Sequence, residues 1–294
     1  MPELPDVVVY VESLQRRILG QRLQRIRVLS PFLLRTAVPP IAEAEGKRVE
    51  GVHRLGKRII IALESELFLV VHLMIAGRLR WIEPGARPPP RIALALLVFP
   101  GGTLVVTEAG TKRRASLHVV RGKPSLAAFD MGGVELADAD LSTFRGRLLR
   151  ENHTLKRALT DPRLFSGIGN AYSDEILHRA RLSPVALTQR LDDAEVERLF
   201  SAARAVLGEW TSRLRAHAKE SFPDKVTAFR PEMAVHGRYG EPCPVCGAPV
   251  QRIVYAENET NYCARCQTGG TILADRALSR LLKASWPRSI DEPG

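Results

Sequence analysis

The hydrophobic pattern of the first twenty residues is helical. Its apolar positions are Val7, Tyr10, Val11, Leu14 and Ile18. Their spacing places them on one face of a helix, and Gly20 ends the pattern. The sequence therefore predicts a helix over residues 6–19.

The pattern then changes to short runs that alternate or are continuously apolar, separated by turn residues such as Pro100-Gly101-Gly102. These runs predict strands over residues 23–28, 49–55, 58–63, 67–73, 79–82, 92–99, 104–107 and 116–120. Eight short strands without long helices between them favour an antiparallel sandwich or barrel.

The composition of residues 123–133 is that of a linker, and the pattern after it is helical. Helices are predicted over residues 141–150, 153–159, 170–181, 192–217 and 272–282. Residues 218–233 lack a clear period and contain two prolines, which predicts a long exposed loop before the last segment. The expected fold class is α+β, with a helix and an antiparallel β-sandwich followed by a helical domain.

All four cysteines of the chain lie in two CxxC pairs. They are Cys243, Cys246, Cys263 and Cys266, with sixteen residues between the pairs. Four thiolates with this spacing can close a tetrahedron around one zinc ion, and alternating apolar residues between the pairs predict a β-hairpin zinc ribbon. Two disulfides are the alternative, but residues 1–20 lack the pattern of a secretory signal peptide. The predicted zinc is structural, because four thiolates leave no position for water.

The 294-residue chain carries a formal net charge of +11, spread over its length. A folded basic protein with a zinc ribbon typically binds a polyphosphate backbone, although a basic surface can also serve solubility alone. The longest apolar run, residues 92–99, is much shorter than a membrane span. A cytoplasmic protein without membrane contact is expected, associated with the nucleoid if its partner is DNA.

The turn Gly167-Ile168-Gly169-Asn170 precedes a predicted helix and suggests an anion site. Asn170 is a good N-cap, Ser173 and Asp174 are expected in the first turn, and Lys156 on the preceding helix could reach the same phosphate. The alternative is a helical hairpin whose glycines only allow close packing.

Pro2 follows the initiator methionine, which is normally removed before a small residue. Removal would leave a secondary α-amine with a pKa of about 7.7–8.0, so that an appreciable fraction is nucleophilic near neutral pH. Condensation of this amine with an aldehyde gives a cationic iminium. The alternative is a polar start to a helix. Acyl transfer, zincin proteolysis and nucleotide hydrolysis find no support, since the GxSxG, HExxH and P-loop motifs are absent.

Five features together resemble the formamidopyrimidine-DNA glycosylase/endonuclease VIII family, in order and spacing from Met1 to Gln267. They are Met1-Pro2-Glu3-Leu4-Pro5, Lys57 in Gly-Lys-Arg, His72-Leu73 with Gly77, the Gly167-Ile168-Gly169-Asn170-Ala171-Tyr172 turn and the four-cysteine ribbon. The resemblance implies a helix-two-turn-helix domain, a cleft for damaged double-stranded DNA and a monomer. It also implies a DNA glycosylase/AP lyase that removes an oxidised base and nicks the strand by β- and δ-elimination.

The resemblance implies a role for each matching residue. Pro2 would be the nucleophile and Glu3 the general acid, which requires that burial raise the pKa of Glu3. Lys57 would bind phosphate and assist base release, while Asp6 would take part in proton shuttling. Lys156 and Asn170 would grip backbone phosphate.

Several positions depart from the family pattern. Asp6 replaces a glutamate, and Ile75, next to Met74, replaces a methionine that fills the void left by the extruded base. Residues 108–115, which include Arg113, are basic but lack the phenylalanine that wedges into the duplex, and Asn258 replaces a DNA-contacting arginine of the ribbon. Residues 218–233 are also shorter than the family's base-capping loop. Met74, Ile75, Arg113 and Asn258 are nevertheless expected at the DNA.

The expected domains are residues 1–123 (catalytic β-sandwich), 134–233 (helix-two-turn-helix), 234–268 (zinc ribbon) and 269–294 (C-terminal extension). Two other functions stay open on these residues. A damage-recognising DNA-binding protein of the same fold with reduced catalysis would account for the departures, and a zinc-ribbon transcription or RNA-binding protein would leave Pro2 and Lys57 without a role.

Overall fold

The structure is a computed structural model that describes residues 1–110, 112–219, 221–224, 226–227, 229–255, 258–274 and 288–291. The chain divides into two compact units. The first comprises Met1–Met131 and Trp210–Thr227, and the second comprises Gly132–Glu209 and Ala228–Gly294.

The first unit contains the predicted helix and all eight predicted strands. They are α1 (Leu4–Ile18), β1 (Arg25–Val28), β2 (Val49–Leu55), β3 (Arg58–Leu63), β4 (Leu67–His72), β5 (Gly77–Ile82), β6 (Ala93–Phe99), β7 (Gly102–Glu108) and β8 (Ser116–Arg121). The strands form two antiparallel four-stranded sheets with the orders β1-β6-β7-β5 and β2-β3-β4-β8. The predicted antiparallel sandwich is confirmed.

The core of this unit lies where α1 and the two sheets meet, and the alternation along β3 shows why. Ile59 and Ile61 point into the main core, whereas Ile60 and Ala62 belong to a separate cluster on the other face of the sheet. That second cluster packs against Leu126 and Phe129 of a 3₁₀ helix. The segment that was expected to be a linker thus begins by covering the outer face of a sheet.

The helix α1 begins two residues before the predicted start. Glu3 is its N-cap, and Glu3 and Asp6 form a reciprocal capping box that satisfies the first backbone amides. Apolar periodicity could not show this, because the first residues of the helix are held by polar groups.

The prediction of a long exposed loop over residues 218–233 is wrong for part of that segment. Phe222 and Val226 are each 8% exposed and belong to the main core of the first unit, and Met233 is fully buried. The Phe222 ring lies 5.8 Å from the Tyr10 ring of α1, between ring centroids. Isolated apolar residues in an irregular segment are buried here by contacts with distant elements, which a local pattern cannot reveal.

The second unit contains the predicted helices and the ribbon. Its elements are α2 (Leu141–Leu148), α3 (Leu155–Thr160), α4 (Asn170–Ala180), most of α5 (Asp193–Ala218), β9 (Val250–Tyr255), β10 (Asn258–Cys263) and the short α6 (Ala264–Thr268), which was not predicted. Strands β9 and β10 pair antiparallel as the expected hairpin. Of the helix predicted over residues 272–282, residues 272–274 are not helical and residues 275–282 lie outside the described part. Among the described residues, no helix has the length and apolar character needed to cross a membrane.

Candidate functional site

The amino-terminal residues are buried in the first unit. Pro2 is buried and Glu3 is 1% exposed. Oδ2 of Asp6, itself 3% exposed, accepts a 3.0 Å hydrogen bond from the Glu3 backbone amide. Because α1 packs in the core, this capping box fixes residues 2 and 3 relative to the sandwich.

Four charged side chains influence the amine at the start of the chain. Burial and then the positive charge of Arg78 lower the pKa of the Met1 amine, Glu3 and Asp6 oppose this, and Lys57 lowers it further. Lys57 lies in the turn between β2 and β3. The structure thus brings together the four residues predicted as catalytic, and it adds Arg78, which no motif indicated.

His72, at the end of β4, adds an uncharged imidazole close to Lys57. It pairs across the sheet with Arg58. Burial, together with the charges of Arg58 and Lys57, lowers the pKa of His72 to about 4. His72 is therefore neutral near pH 7 and can accept or donate a hydrogen bond without adding charge.

The turn between β4 and β5 contains Met74 and Ile75, the residues that were expected to fill the space that an extruded base leaves in the DNA. Met74 has a positive φ of 52°, and Ile75 is 49% exposed. Gly77 closes the turn, because a Cβ at this position would lie 2.2 Å from the Leu73 carbonyl oxygen. The turn shape thus depends on glycine, and it exposes an isoleucine where the family pattern has methionine.

The loop between β7 and β8 folds back onto a buried carboxylate. Glu108 is 2% exposed and accepts hydrogen bonds from the backbone amides of Arg114, at 3.0 Å, and Ala115, at 3.1 Å. Arg113 is exposed, and its guanidinium donates to the Arg91 carbonyl oxygen at 3.2 Å. The loop therefore displays basic side chains at a defined position, while Thr111 lies outside the described residues.

The turn before α4 differs in detail from its prediction. The N-cap is Gly169, and Asn170 is the first helical residue. Asn170 donates from Nδ2 to the Glu259 carbonyl oxygen at 2.7 Å, which links α4 to β10. Asp174 lies in the second turn of α4, and no acidic residue occupies the first.

Lys156 is paired within the second unit. Its Nζ donates to the Asn170 carbonyl oxygen at 2.6 Å and to Asp174 Oδ1 at 2.5 Å. The other oxygen of this fully buried carboxylate bonds His236 Nδ1 at 2.8 Å. The Lys156 charge is thus largely compensated, and its contact with phosphate stays a prediction.

Glu175, also on α4, was missed by the sequence analysis. It is 6% exposed and accepts three backbone amides, from Ala234 at 2.8 Å, Val235 at 2.9 Å and His236 at 3.0 Å. The segment before the ribbon is therefore tied to α4 by one carboxylate. Backbone partners leave no signature in the sequence, so no motif could have identified it.

The four cysteines fit one zinc ion. All are free thiols, and their Sγ atoms lie within 4.8 Å of one another. The Cys246–Cys263 and Cys243–Cys266 Sγ distances are 3.4 and 3.9 Å. A zinc–sulfur bond of about 2.3 Å gives a tetrahedral edge of about 3.8 Å. The donor set is thus a closed structural zinc site, as predicted, and the disulfide alternative is wrong.

The ribbon is also attached to α4 by side chains. His178 Nε2 lies 3.3 Å from Cys243 Sγ, and Gln267 donates to the Leu182 carbonyl oxygen at 2.9 Å. Asn258 begins β10 and pairs with Tyr255, but its side chain lies outside the described part of the structure.

Comparison with known proteins gives three family matches in order along the chain. The formamidopyrimidine-DNA glycosylase N-terminal domain matches residues 1–114, its H2TH domain residues 134–214, and the zinc finger found in FPG and IleRS residues 240–269. A formamidopyrimidine-DNA glycosylase of Thermus thermophilus is 37% identical over 283 residues, covering 92% of this chain and 100% of that protein.

Two solved structures agree with these matches. A crystal structure of the MutM (Fpg) protein from Thermus thermophilus superimposes with a TM-score of 0.76 at 34% identity, covering 90% of this chain and 98% of that one. A complex between Lactococcus lactis Fpg and DNA containing an abasic site gives a TM-score of 0.81 at 26% identity, covering 90% and 99%.

Proposed function

Because this chain belongs to the formamidopyrimidine-DNA glycosylase family, we propose that it excises an oxidised base from duplex DNA through its own amino-terminal proline. Members of this family are DNA glycosylases that are also AP lyases of base excision repair, and this chain is one of them. The observation that carries the assignment of residues is the buried Pro2-Glu3 start of α1, close to the charges of Lys57 and Arg78.

The proposed reaction begins after Met1 is removed. The Pro2 nitrogen attacks C1′ of a nucleotide extruded from the stack, and the bond from C1′ to the base breaks as the new C–N bond forms. The Pro2 nitrogen loses its proton, and the departing base takes up a proton. Glu3 protonates the ring oxygen O4′, so that the C1′–O4′ bond opens and the Pro2 nitrogen becomes an iminium. Burial and the positive charge of Arg78 lower the pKa of the Met1 amine. The same surroundings would favour the unprotonated form of the Pro2 amine, which is the form that attacks.

Strand cleavage follows from the iminium, which is an electron sink. Loss of a proton from C2′ expels the 3′ phosphate in β-elimination, and a second elimination expels the 5′ phosphate. Water then hydrolyses the remaining iminium, which releases the sugar remnant as an unsaturated aldehyde and restores the Pro2 amine. Lys57 would hold phosphate beside the site, and His72, which is neutral at pH 7, adds no further charge.

The partner is damaged double-stranded DNA bound by one copy of the chain, with contacts from Met74, Ile75, Arg113, Lys156, Asn170 and Asn258. One zinc ion, held by the four cysteines, stabilises the ribbon and takes no part in the chemistry. We place the protein in the cytoplasm, at the nucleoid.

Borohydride trapping tests the proposal. Untagged protein from which Met1 has been removed is mixed with duplexes containing an abasic site, an oxidised purine or an oxidised pyrimidine. A covalent complex and strand nicking are expected with at least one lesion, and Pro2→Thr or an amino-terminal tag should abolish the adduct. The matched control is Pro5→Ala, which changes a proline of the same segment and leaves the amine at residue 2.

Lesion-selective binding without an adduct would instead favour a damage-recognising DNA-binding protein. Four departures from the family pattern motivate that alternative. They are Asp6, the exposed Ile75 in place of methionine, the phenylalanine missing from residues 108–115, and Asn258. Preference for single-stranded RNA over every duplex would contradict both functions.

A further inference from the structure

Arg78, the second residue of β5, binds three backbone carbonyls in two segments. Its Nη1 donates to the carbonyl oxygens of Ile75, at 3.0 Å, and Gly77, at 2.7 Å. Its Nε donates to the carbonyl oxygen of Val226. One guanidinium therefore joins the β4–β5 turn to a segment about 150 residues further along the chain.

The Val226 segment is itself anchored in the first unit. Val226 and Phe222 are buried in the main core, and the Phe222 ring packs against Tyr10 of α1. The guanidinium of Arg17, also on α1, lies 5.5 Å from the centre of the same ring. The segment that Arg78 binds is therefore attached to the helix that carries Pro2 and Glu3 at its start.

Arg78 also lowers the pKa of the amine at the start of the chain. Among the side chains near the Met1 amine, Arg78 exerts the largest charge effect, ahead of Glu3, Asp6 and Lys57. Its positive charge disfavours a second positive charge at the amine and so acts in the same direction as burial. Arg78 therefore contacts both the turn and the Val226 segment, and its charge also lowers the pKa of the Met1 amine.

We propose that Arg78 is a positioning residue that joins the β4–β5 turn and the Val226 segment into one unit beside the amino terminus, so that the turn and the nucleophile meet the damaged nucleotide together. The inference rests on the proposed function, because it assigns Arg78 to the Pro2 reaction. Arg78 forms no bond to the substrate in this role. It holds Met74 and Ile75, the residues proposed to contact the duplex, at a fixed place relative to the amine.

Two substitutions of Arg78 distinguish the effect of its positive charge from the effect of its hydrogen bonds to three carbonyl oxygens. Arg78→Lys keeps the charge but cannot reproduce the planar fork that reaches separate carbonyls. Arg78→Met removes both. The matched control is Arg27→Met, which removes one exposed arginine from β1 of the same sandwich.

The first measurement is single-turnover borohydride trapping on a saturating abasic duplex as a function of pH. Arg78→Met should move the midpoint of the pH profile upward, since a like charge near the amino terminus is lost. Arg78→Lys should keep the midpoint near that of wild type. Both variants should trap roughly tenfold to a hundredfold more slowly, because the turn is no longer fixed relative to the nucleophile.

The second measurement is hydrogen exchange of the free protein over residues 72–80 and 221–227. Both Arg78 variants should exchange at least about tenfold faster in these peptides than wild type, whereas Arg27→Met should not. The proposal is overturned if both variants trap at the wild-type rate, whatever happens to the exchange. Unchanged exchange in both peptides would overturn it equally. If wild-type protein traps no DNA on any lesion, the proposed function fails, and the exchange experiment still decides whether Arg78 joins the two segments.

Discussion

Replacement of Glu175 tests whether one carboxylate holds the segment that leads into the zinc ribbon. Its Oε2 accepts the Ala234 amide, and its Oε1 accepts the amides of Val235 and His236. Glu175→Ala leaves these three amides without a protein acceptor in a mostly buried segment. At about 1–2 kcal/mol for each amide, the cost is roughly 3–6 kcal/mol.

Glu175→Gln gives a more specific result. A glutamine oxygen can still accept the amides of Val235 and His236, but its NH₂ group would then face the Ala234 amide, so that two donors meet. We expect an intermediate loss that is concentrated at Ala234. Glu209 provides the matched control, because it is a surface glutamate, 44% exposed and paired with Arg179. Glu209→Ala should cost less than about 1 kcal/mol.

Hydrogen exchange of the peptides that cover residues 233–238 measures the effect directly, alongside urea unfolding. A loss of about 4 kcal/mol corresponds to exchange that is roughly a thousandfold faster. The reasoning is refuted if Glu175→Ala exchanges within threefold of wild type in these peptides. It is also refuted if Glu209→Ala destabilises the protein as strongly.

Lys156, His178 and His72 can each be tested by a single substitution. Lys156→Met should lower stability, because Asp174 loses its ion pair with Lys156. The substitution should also reduce the log–log salt slope of duplex binding by about one unit, because Lys156 is proposed to contact phosphate, and an unchanged slope in fluorescence anisotropy titrations would contradict that contact. His178→Phe should speed zinc release to a chromogenic chelator by roughly tenfold, because Cys243 loses a hydrogen bond. If the control His217→Phe releases zinc as fast as His178→Phe, the prediction is contradicted. The pKa of His72 is lowered to about 4, so the folded state binds fewer protons than the unfolded state, and stability should fall as the pH drops from about 6.5 to about 4. In urea unfolding, His72→Gln should weaken this dependence of stability on pH. An unchanged dependence would exclude His72 as its cause.

The local hydrophobic pattern of the sequence was sufficient to predict most helices and strands of the fold. The predicted and observed bounds of β2 and β3 coincide because both strands are continuously or alternately apolar and Gly56-Lys57 supplies the turn. The cysteine spacing predicted the zinc ribbon for a similar reason, since the two CxxC pairs and the hairpin between them are formed by residues close together in the sequence. The amino-terminal pair Pro2-Glu3 was identified from its chemistry and its resemblance to a family.

The residues that were missed act through distant partners. Phe222 and Val226 lie in a segment without a period, and only the packing of α1 and the sandwich buries them. Arg78 and Glu175 bind backbone groups, which every residue possesses, so nothing in the sequence distinguishes them from solvated charges. The phosphate contact expected for Lys156 stays a prediction, and the sequence did not show that Lys156 also pairs with Asp174 of α4.

The capping box of α1 limits which substitutions the first turn of this helix can accept. Glu3 and Asp6 set the first turn of a helix whose apolar face is entirely internal, and the proposed acid is one of the two caps. Any change at position 6 that alters the cap therefore also moves the group that would protonate the sugar. If Glu3 is the acid, thermal tolerance and catalytic rate are coupled at position 6, and a substitution selected for one of them is constrained by the other.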